Sequence, residues 1–358
     1  MRCTVKKKFL SAMFAGLMAL NIFGGVSDVQ AASRAEIAAI NVKRPADFKY
    51  WSADSKVKKE IVDYVKDVTN KKSKNFIPVE DRIAVFDMDG TILYERQPAA
   101  LDWFFPIYTV LENPTNNVTP ELRERTQIWL DAIKNKNITD AVTADRRKIV
   151  GELFAGITLD EYIPRIKKFM NKNIDGFKNL KYGEAFYLPM VEIISYLNAN
   201  DFTVYIVSGS ERNFARTLLG DAVKVQPNHV IGGDVTFKRE NNGGEKYFTA
   251  GDRIIFGDER RKNNTNTNKI FSIDREIGKK PVIAFGNSMG DADMLNYTLI
   301  DNKYKSAAFM VLCDDYTREI GNKDLENKIR QAAQKNHWTI ISMKDDFKTI
   351  YGDKVTKN

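Results

Sequence analysis

Two carboxylates two residues apart, Asp87 and Asp89, follow directly on the apolar run Ile83-Ala84-Val85-Phe86 and lead into Gly90-Thr91. Four consecutive apolar residues read as a short buried strand. Polar residues just past the carboxyl end of such a strand stand where open α/β sheets bind their ligands. Two further stretches have the same form. Phe202 to Val207 ends in Ser208-Gly209-Ser210, and Pro281 to Phe285 ends in Gly286-Asn287-Ser288-Met289-Gly290-Asp291. Parallel strands bring these three ends to one edge, so a carboxylate pair, a small hydroxyl loop and an amide/carboxylate loop meet there.

With one lysine added, that set suits phosphoryl transfer through an aspartyl-phosphate. A carboxylate that attacks a phosphate dianion meets strong repulsion, since one like-charge pair at ~4 Å costs about 4 kcal/mol at an effective dielectric near 20. A divalent cation on oxygen ligands and a lysine ammonium offset it. The loop at Ser208 runs into a helix expected from Glu211 to Leu219, whose first N–H groups would cradle phosphate. The second carboxylate, Asp89, can protonate a leaving oxygen and later activate water.

The elements needed to hold these loops are legible in the pattern. Val57, Ile61, Tyr64, Val65 and Val68 recur at helical spacing before the first strand. After Ile92 the chain becomes aromatic, then polar, then helical, with Thr119-Pro120 and Thr158-Leu159-Asp160-Glu161 as helix starts. This stretch reads as a lid inserted after the first strand. Strand and helix then alternate: a helix from Pro189, the strand from Phe202, and short strands near 229–231, 235–238, 246–248 and 253–256 joined by an Asn241-Asn242-Gly243-Gly244 turn. A helix opening at Lys269, the strand from Pro281 and another from Ala307 complete the series. The fold class is α/β, a doubly wound and mainly parallel sheet with an inserted helical cap. The expected divisions are a signal peptide over 1–31, an extended or partly ordered leader over 32–53, a core over 54–93 and 188–358, and the cap over 94–187.

The 358 residues are too many for one small core. Arg2, Lys6, Lys7 and Lys8, the apolar Phe9 to Val26 and the small residues around Val29-Gln30-Ala31 form a secretory signal pattern, so an exported protein, periplasmic or secreted, is expected. The formal charge is +8, of which that segment carries +3 through four basic residues and Asp28, leaving +5. No basic block accompanies it, which argues against nucleic acid as a partner. No later segment reaches membrane-spanning length. Of two cysteines only Cys313 lies beyond the signal, in an apolar run, and two histidines, His229 and His337, argue against a His-rich metal site.

These motifs resemble the haloacid dehalogenase superfamily of phosphatases, over about Asp54 to Leu312. The likeness rests on Asp87-Met88-Asp89-Gly90-Thr91, Ser208, Lys269 and Gly286-Asn287-Ser288-Met289-Gly290-Asp291. The order of elements is similar to secreted phosphoserine-phosphatase-like and phosphorylcholine-phosphatase-like members. The resemblance implies Asp87 as nucleophile, Asp89 as general acid/base, and Ser208, Gly209 and Lys269 on the phosphoryl group. It also implies Mg²⁺ on Asp87, the Asp89 carbonyl and the last motif, with Asn287 and Asp291 both open as the ligand there. Asn287 departs from the Asp found at that position in many members. Lys279 and Lys280 are alternative phosphate lysines, set aside because they directly precede Pro281.

The implied function is Mg²⁺-dependent hydrolysis of a small phosphorylated metabolite. The alternatives are a dehalogenase- or phosphonatase-type reaction and a non-catalytic binding protein. Glu95, Arg96 and Trp103 are candidate substrate selectors. The aromatics Tyr94, Trp103, Phe104, Phe105 and Tyr108 are either cap core or a wall facing the ligand, and a wall would suit an alkylammonium leaving group.

Overall fold

The computed structural model describes residues 31–114, 118–240, 247–259 and 263–358. The expected signal segment up to residue 30 and the turn at 241–244 lie outside the described residues. The strands are β1 (Ile83–Phe86), β2 (Phe177–Lys178), β3 (Thr203–Glu211), β4 (Val230–Gly233), β5 (Phe237–Arg239), β6 (Ile254–Phe256), β7 (Ile283–Gly286), β8 (Ala307–Leu312), β9 (Thr339–Ser342) and β10 (Thr356–Lys357). Six of them form one sheet in the order β4-β3-β1-β7-β8-β9, with every neighbouring pair parallel.

The chain moves from β1 outward to β3 and β4, then returns to the other side of β1 for β7, β8 and β9. β1 therefore stands where the strand order reverses, and its carboxyl end opens on the crevice that such a reversal creates. The lack of polar alternation in β1 has a simple cause: both faces are covered. Ala84 and Phe86 join the core with residues of the helices Lys56–Thr69 and Leu188–Ala199. Ile83 and Val85 join Ile273, Met294, Leu295 and Ile329 of the helices on the opposite face. Across three adjacent strands the rings of Phe86, Phe285 and Phe309 stack, with centroids 4.3 and 5.0 Å apart.

Among the described residues four α-helices lie between β1 and β2: Phe104–Leu111, Pro120–Lys134, Asp140–Phe154 and Leu159–Met170. Thr119, Thr139 and Thr158 start three of them by accepting the N–H groups of Leu122, Val142 and Glu161. Phe105 ties this helical layer to the sheet layer. Its ring stacks on Phe154 at 5.2 Å and meets Phe214, on the helix Arg212–Leu219, at 5.8 Å.

Three features differ from the sequence reading. Residues 32–53 carry one short α-helix, Arg34–Ala38, and a 3-10 turn, Pro45–Asp47. They are bound to the core by the buried Ile37, Ile40, Val42 and Trp51 and by polar contacts, neither of which leaves a periodic signature. Arg34 bonds Asp221 at 2.6 Å, Val42 N–H donates to Ser195, and Glu192 accepts the N–H groups of Lys49 and Tyr50. Of the four short strands, the first is β4 of the main sheet, while β5 and β6 pair antiparallel and residues 247–248 form no strand. The two-residue strands β2 and β10 also pair antiparallel, clasping the chain end to the start of the return from the helical layer.

Candidate active site

Asp87 continues β1, its N–H bonded to Phe285 O at 2.9 Å, so strand pairing fixes where its side chain leaves the sheet. The carboxylate is 7% exposed and Lys269, on the helix Thr267–Ile277, is 1% exposed. Lys269 Nζ donates to Asp87 Oδ1 at 2.5 Å, Asp291 Oδ1 at 2.6 Å and Val207 O at 2.6 Å. An ammonium has three donors, and all three are engaged. The rival lysines lie elsewhere: Lys279 bonds Asp81 and Glu80 O, and Lys280 bonds Ile300 O.

Asp89 is buried and doubly held. Its Oδ1 accepts Leu101 N–H at 2.7 Å and its Oδ2 accepts Ser210 Oγ at 2.7 Å. Burial, then Asp102 and then Asp87 push its pKa up to about 8, against the two hydrogen bonds that favour the carboxylate. Its environment therefore favours the protonated form. Burial and then Asp291 raise Asp87 to about 7, with Lys269 opposing. Burial disfavours the Lys269 ammonium, yet Asp291 and Asp87 outweigh it, and its pKa is raised.

The polar end of β3 differs from the expected loop: the strand continues through Ser208-Gly209-Ser210 to Glu211. Ser208 is wholly buried; its Oγ accepts Ser210 N–H at 3.0 Å and its carbonyl accepts Asn264 Nδ2 at 2.9 Å. Gly209 is the residue of this stretch that lines the cavity. The helix begins at Arg212, and Glu211 caps it, its carboxylate taking Asn213 N–H at 2.9 Å and Phe214 N–H at 2.7 Å. The helix N-terminus expected to cradle phosphate is thus occupied by the chain's own carboxylate.

In the loop after β7, Asp291 has both oxygens engaged. Beyond Oδ1 on Lys269, its Oδ2 accepts Asn287 N–H and Ser288 N–H, both at 3.0 Å, and Ser288 Oγ at 3.2 Å. Asn287 faces the other way. Its Nδ2 donates to Glu95 Oε2 at 2.7 Å and its Oδ1 accepts Thr91 Oγ1 at 3.4 Å.

A cavity of about 270 Å³ joins these groups. Asp87, Asp89, Glu95, Gly209, Lys269, Asn287 and Asp291 border it from the sheet side, and Trp103, Thr143, Arg146 and Arg147 from the helical layer. Arg96 is not brought here; its guanidinium reaches Asp175 O at 3.3 Å. Nor are His229, packed on Tyr205, His337, which ends the helix Lys323–Asn336 at φ 59°, or the buried thiol of Cys313. Among the aromatics, Tyr94, Phe104 and Phe105 are core. Trp103 does border the cavity, but the Arg146 guanidinium lies over its ring at 4.2 Å from the centroid. Ser210, Asp102, Arg146 and Arg147 escaped the sequence reading. Ser210 is signalled by its place in Ser208-Gly209-Ser210, whereas the two arginines sit on an ordinary amphipathic helix and carry no signal.

Whether a divalent ion fits is a question of donors. Among the described residues no group of three or more His, Cys, Asp or Glu side chains gathers to hold a metal. What the site does offer is hard oxygen: the Asp87 carboxylate and the Asn287 amide oxygen, with Glu95 beside it. The Asp89-Gly90 backbone approaches so closely that a Cβ on Gly90 (φ +74°) would lie 1.9 Å from Asn287 Nδ2 and 2.6 Å from Glu95 Oε2. Oxygen ligands from carboxylate, amide and backbone are the set Mg²⁺ takes, so the residues present fit that ion.

No curated protein matches this chain. Among solved structures it is similar to a protein of unknown function from Bordetella pertussis Tohama I, at 13% identity and TM-score 0.48, over 73% of this chain and 97% of that one. It is also similar to cytosolic 5'-nucleotidase IIIB bound to cytidine, at 15% identity and TM-score 0.45, over 80% and 85% of the two chains. A phosphoserine phosphohydrolase-like protein from Francisella tularensis subsp. tularensis SCHU S4 follows at 14% identity and TM-score 0.36, over 64% and 87%. The profile of the haloacid dehalogenase-like hydrolases matches residues 84–296, more than half of the sequence and all of the segment that builds the cavity's sheet-side wall. The chain belongs to the haloacid dehalogenase-like hydrolases.

Proposed function

We propose that this hydrolase cleaves small phosphomonoesters through an aspartyl-phosphate on Asp87. The observation that carries the reading is the pairing of two buried carboxylates with different partners on one cavity. Asp87 is held by an ammonium at 2.5 Å, while Asp89, two residues on, is held by Ser210 Oγ and Leu101 N–H, and burial, then Asp102, favour its protonated form. A nucleophile and an acid are thereby separated by environment.

In the proposed sequence an Asp87 oxygen attacks phosphorus and the P–O bond to the leaving group breaks. The departing oxygen takes the proton of Asp89. Asp89, now a carboxylate, takes a proton from water, whose oxygen attacks phosphorus as the P–O bond to Asp87 breaks and inorganic phosphate leaves. Ser210 Oγ and Leu101 N–H hold Asp89 through both transfers. Lys269 keeps Asp87 in place and lowers the charge that phosphate meets. Mg²⁺, when bound, would supply the remaining positive charge that offsets the dianion, and Asp87, the Asp89 carbonyl and Asn287 are the proposed ligands. Asp291, with both oxygens engaged, is proposed as the anchor of that loop.

The helical layer supports a small substrate whose leaving group is not cationic. Trp103 is already covered by Arg146, and Arg147 borders the same cavity. Two guanidinium groups repel an alkylammonium and favour a leaving group that bears a carboxylate or several acceptors. The basic and apolar start of the sequence supports export, and no helix among the described residues is long and apolar enough to cross a membrane.

The test is turnover of an aryl phosphate by the wild-type chain with Mg²⁺ against EDTA, beside Asp87→Asn. Activity is expected in the first case alone; equal activity in Asp87→Asn removes the reading. Arg147→Gln should raise KM roughly tenfold for the phosphate ester of a hydroxycarboxylic acid and leave KM for choline phosphate unchanged or lower.

A further inference from the structure

We infer that Glu95 is a positioning residue for the cation site: it turns the Asn287 amide so that its oxygen faces the site, and it supplies the carboxylate charge that Asn287 lacks. The inference rests on the proposed Mg²⁺ chemistry.

An amide can present nitrogen or oxygen, and what surrounds it decides which. Glu95 Oε2, 2.7 Å from Asn287 Nδ2, accepts from that nitrogen. The oxygen is thereby directed to the Thr91 hydroxyl at 3.4 Å, and Asn287 borders the cavity that Asp87 also borders. The pair also lies directly against the backbone at Gly90, where any Cβ would strike both side chains. Asn287, Glu95 and Asp87 thus border one cavity beside the Asp89-Gly90 backbone.

Charge points to the same residue. Asp87 shares its charge with Lys269, and Asp291 gives both oxygens to Lys269 and to its own loop. Among the described residues Glu95 enters no ion pair, and it borders the cavity beside Asn287. Burial, then Asp89 and Asp87, push its pKa well above the usual carboxylate range, so a cation beside it would favour its charged form. Groups that orient a metal's ligands from behind typically change metal affinity 10- to 100-fold when removed.

The experiment is calorimetric titration of the purified chain with Mg²⁺ in the absence of substrate, with folding checked by thermal unfolding in EDTA. Glu95→Gln should weaken Mg²⁺ by about 10- to 100-fold. Asn287→Asp alone sets two carboxylates against each other. The double variant Asn287→Asp/Glu95→Gln, which moves the charge to position 287 and leaves an amide to donate to it, should return affinity to within a few fold of wild type. Glu95→Gln with wild-type Mg²⁺ affinity overturns the inference, and if its KM alone has changed then Glu95 is a substrate selector. A double variant no better than Glu95→Gln also overturns it. Should Glu95→Gln not fold, Glu95→Asp, whose carboxylate retreats by one methylene, must still weaken Mg²⁺, and unchanged affinity there is equally fatal. A wild-type chain that takes up no Mg²⁺ removes the proposed metal chemistry itself, which is distinguishable from every failure confined to position 95.

Discussion

Replacing Asp291 by Ala tests the reading of the fourth loop most sharply, because the structure makes this carboxylate an anchor. Its Oδ1 faces Lys269 Nζ at 2.6 Å, and its Oδ2 takes Asn287 N–H and Ser288 N–H at 3.0 Å each. Asp291 and Lys269 are both 1% exposed. A buried ion pair is weak evidence for stability as a pair, but removing one partner costs about 3–5 kcal/mol. Since Lys269 keeps Asp87 and Val207 O, the low end of that range applies to the pair itself. The two orphaned N–H groups belong to the same network, so their ~1–3 kcal/mol each does not simply add. At an m-value of about 3 kcal/mol per molar urea, the midpoint should fall by roughly 1–1.5 M. The assay is urea unfolding in EDTA, so metal binding does not enter. Asp291→Asn should fare little better, because its amide would turn a donor toward the ammonium. Lys269→Met combined with Asp291→Ala should lose less than the two single losses together, by about 0.5–3 kcal/mol. A midpoint for Asp291→Ala within about 1 kcal/mol of wild type would refute the anchor.

Ser210→Ala removes the hydroxyl that holds Asp89, a hydrogen bond of the kind worth about 1.5–3 kcal/mol at a charged partner, so kcat for an alkyl phosphate should fall roughly 10- to 100-fold. Aryl phosphates, which need the acid less, should lose less; equal losses would contradict Asp89 as proton donor. Stability should also depend on pH through Glu192 and Glu319, each raised chiefly by burial to about 7 from an ordinary 4.5. Such groups hold a proton more tightly folded than unfolded. The stability they contribute is complete below about pH 4.5 and lost as pH rises through about 7, at up to ~1.4 kcal/mol per pH unit for each. Urea unfolding near pH 5 and pH 7.5 should show that decline, and Glu319→Gln should flatten it; an unchanged slope in the variant would contradict the assignment.

The sheet and its three polar strand ends could be read from the sequence because each is local. Ile83 to Phe86 is apolar throughout since β1 is covered on both faces, and the residues that follow it are those the strand delivers to the crevice. Lys269 was found through its place at a helix start. What the sequence hid is non-local. The capping of the helix Arg212–Leu219 by Glu211 depends on a carboxylate folding back on its own helix, and a Ser-Gly-Ser loop reads the same with or without it. The aromatic run after Tyr94 gave no hint that Arg146, over forty residues on, would lie across Trp103. Residues 32–53 read as an extended or partly ordered leader because their attachments, from the buried Ile37, Ile40, Val42 and Trp51 to the Glu192 bonds with the N–H groups of Lys49 and Tyr50, are aperiodic.

The central claim is a covalent phosphate on Asp87. Acid quenching of the wild-type chain during turnover of a phosphomonoester with Mg²⁺, followed by peptide mass spectrometry, addresses it directly. The account predicts a hydroxylamine-labile phosphate on the peptide that carries Asp87, absent from Asp87→Asn. Phosphate on another residue, or sustained hydrolysis by Asp87→Asn, would contradict it.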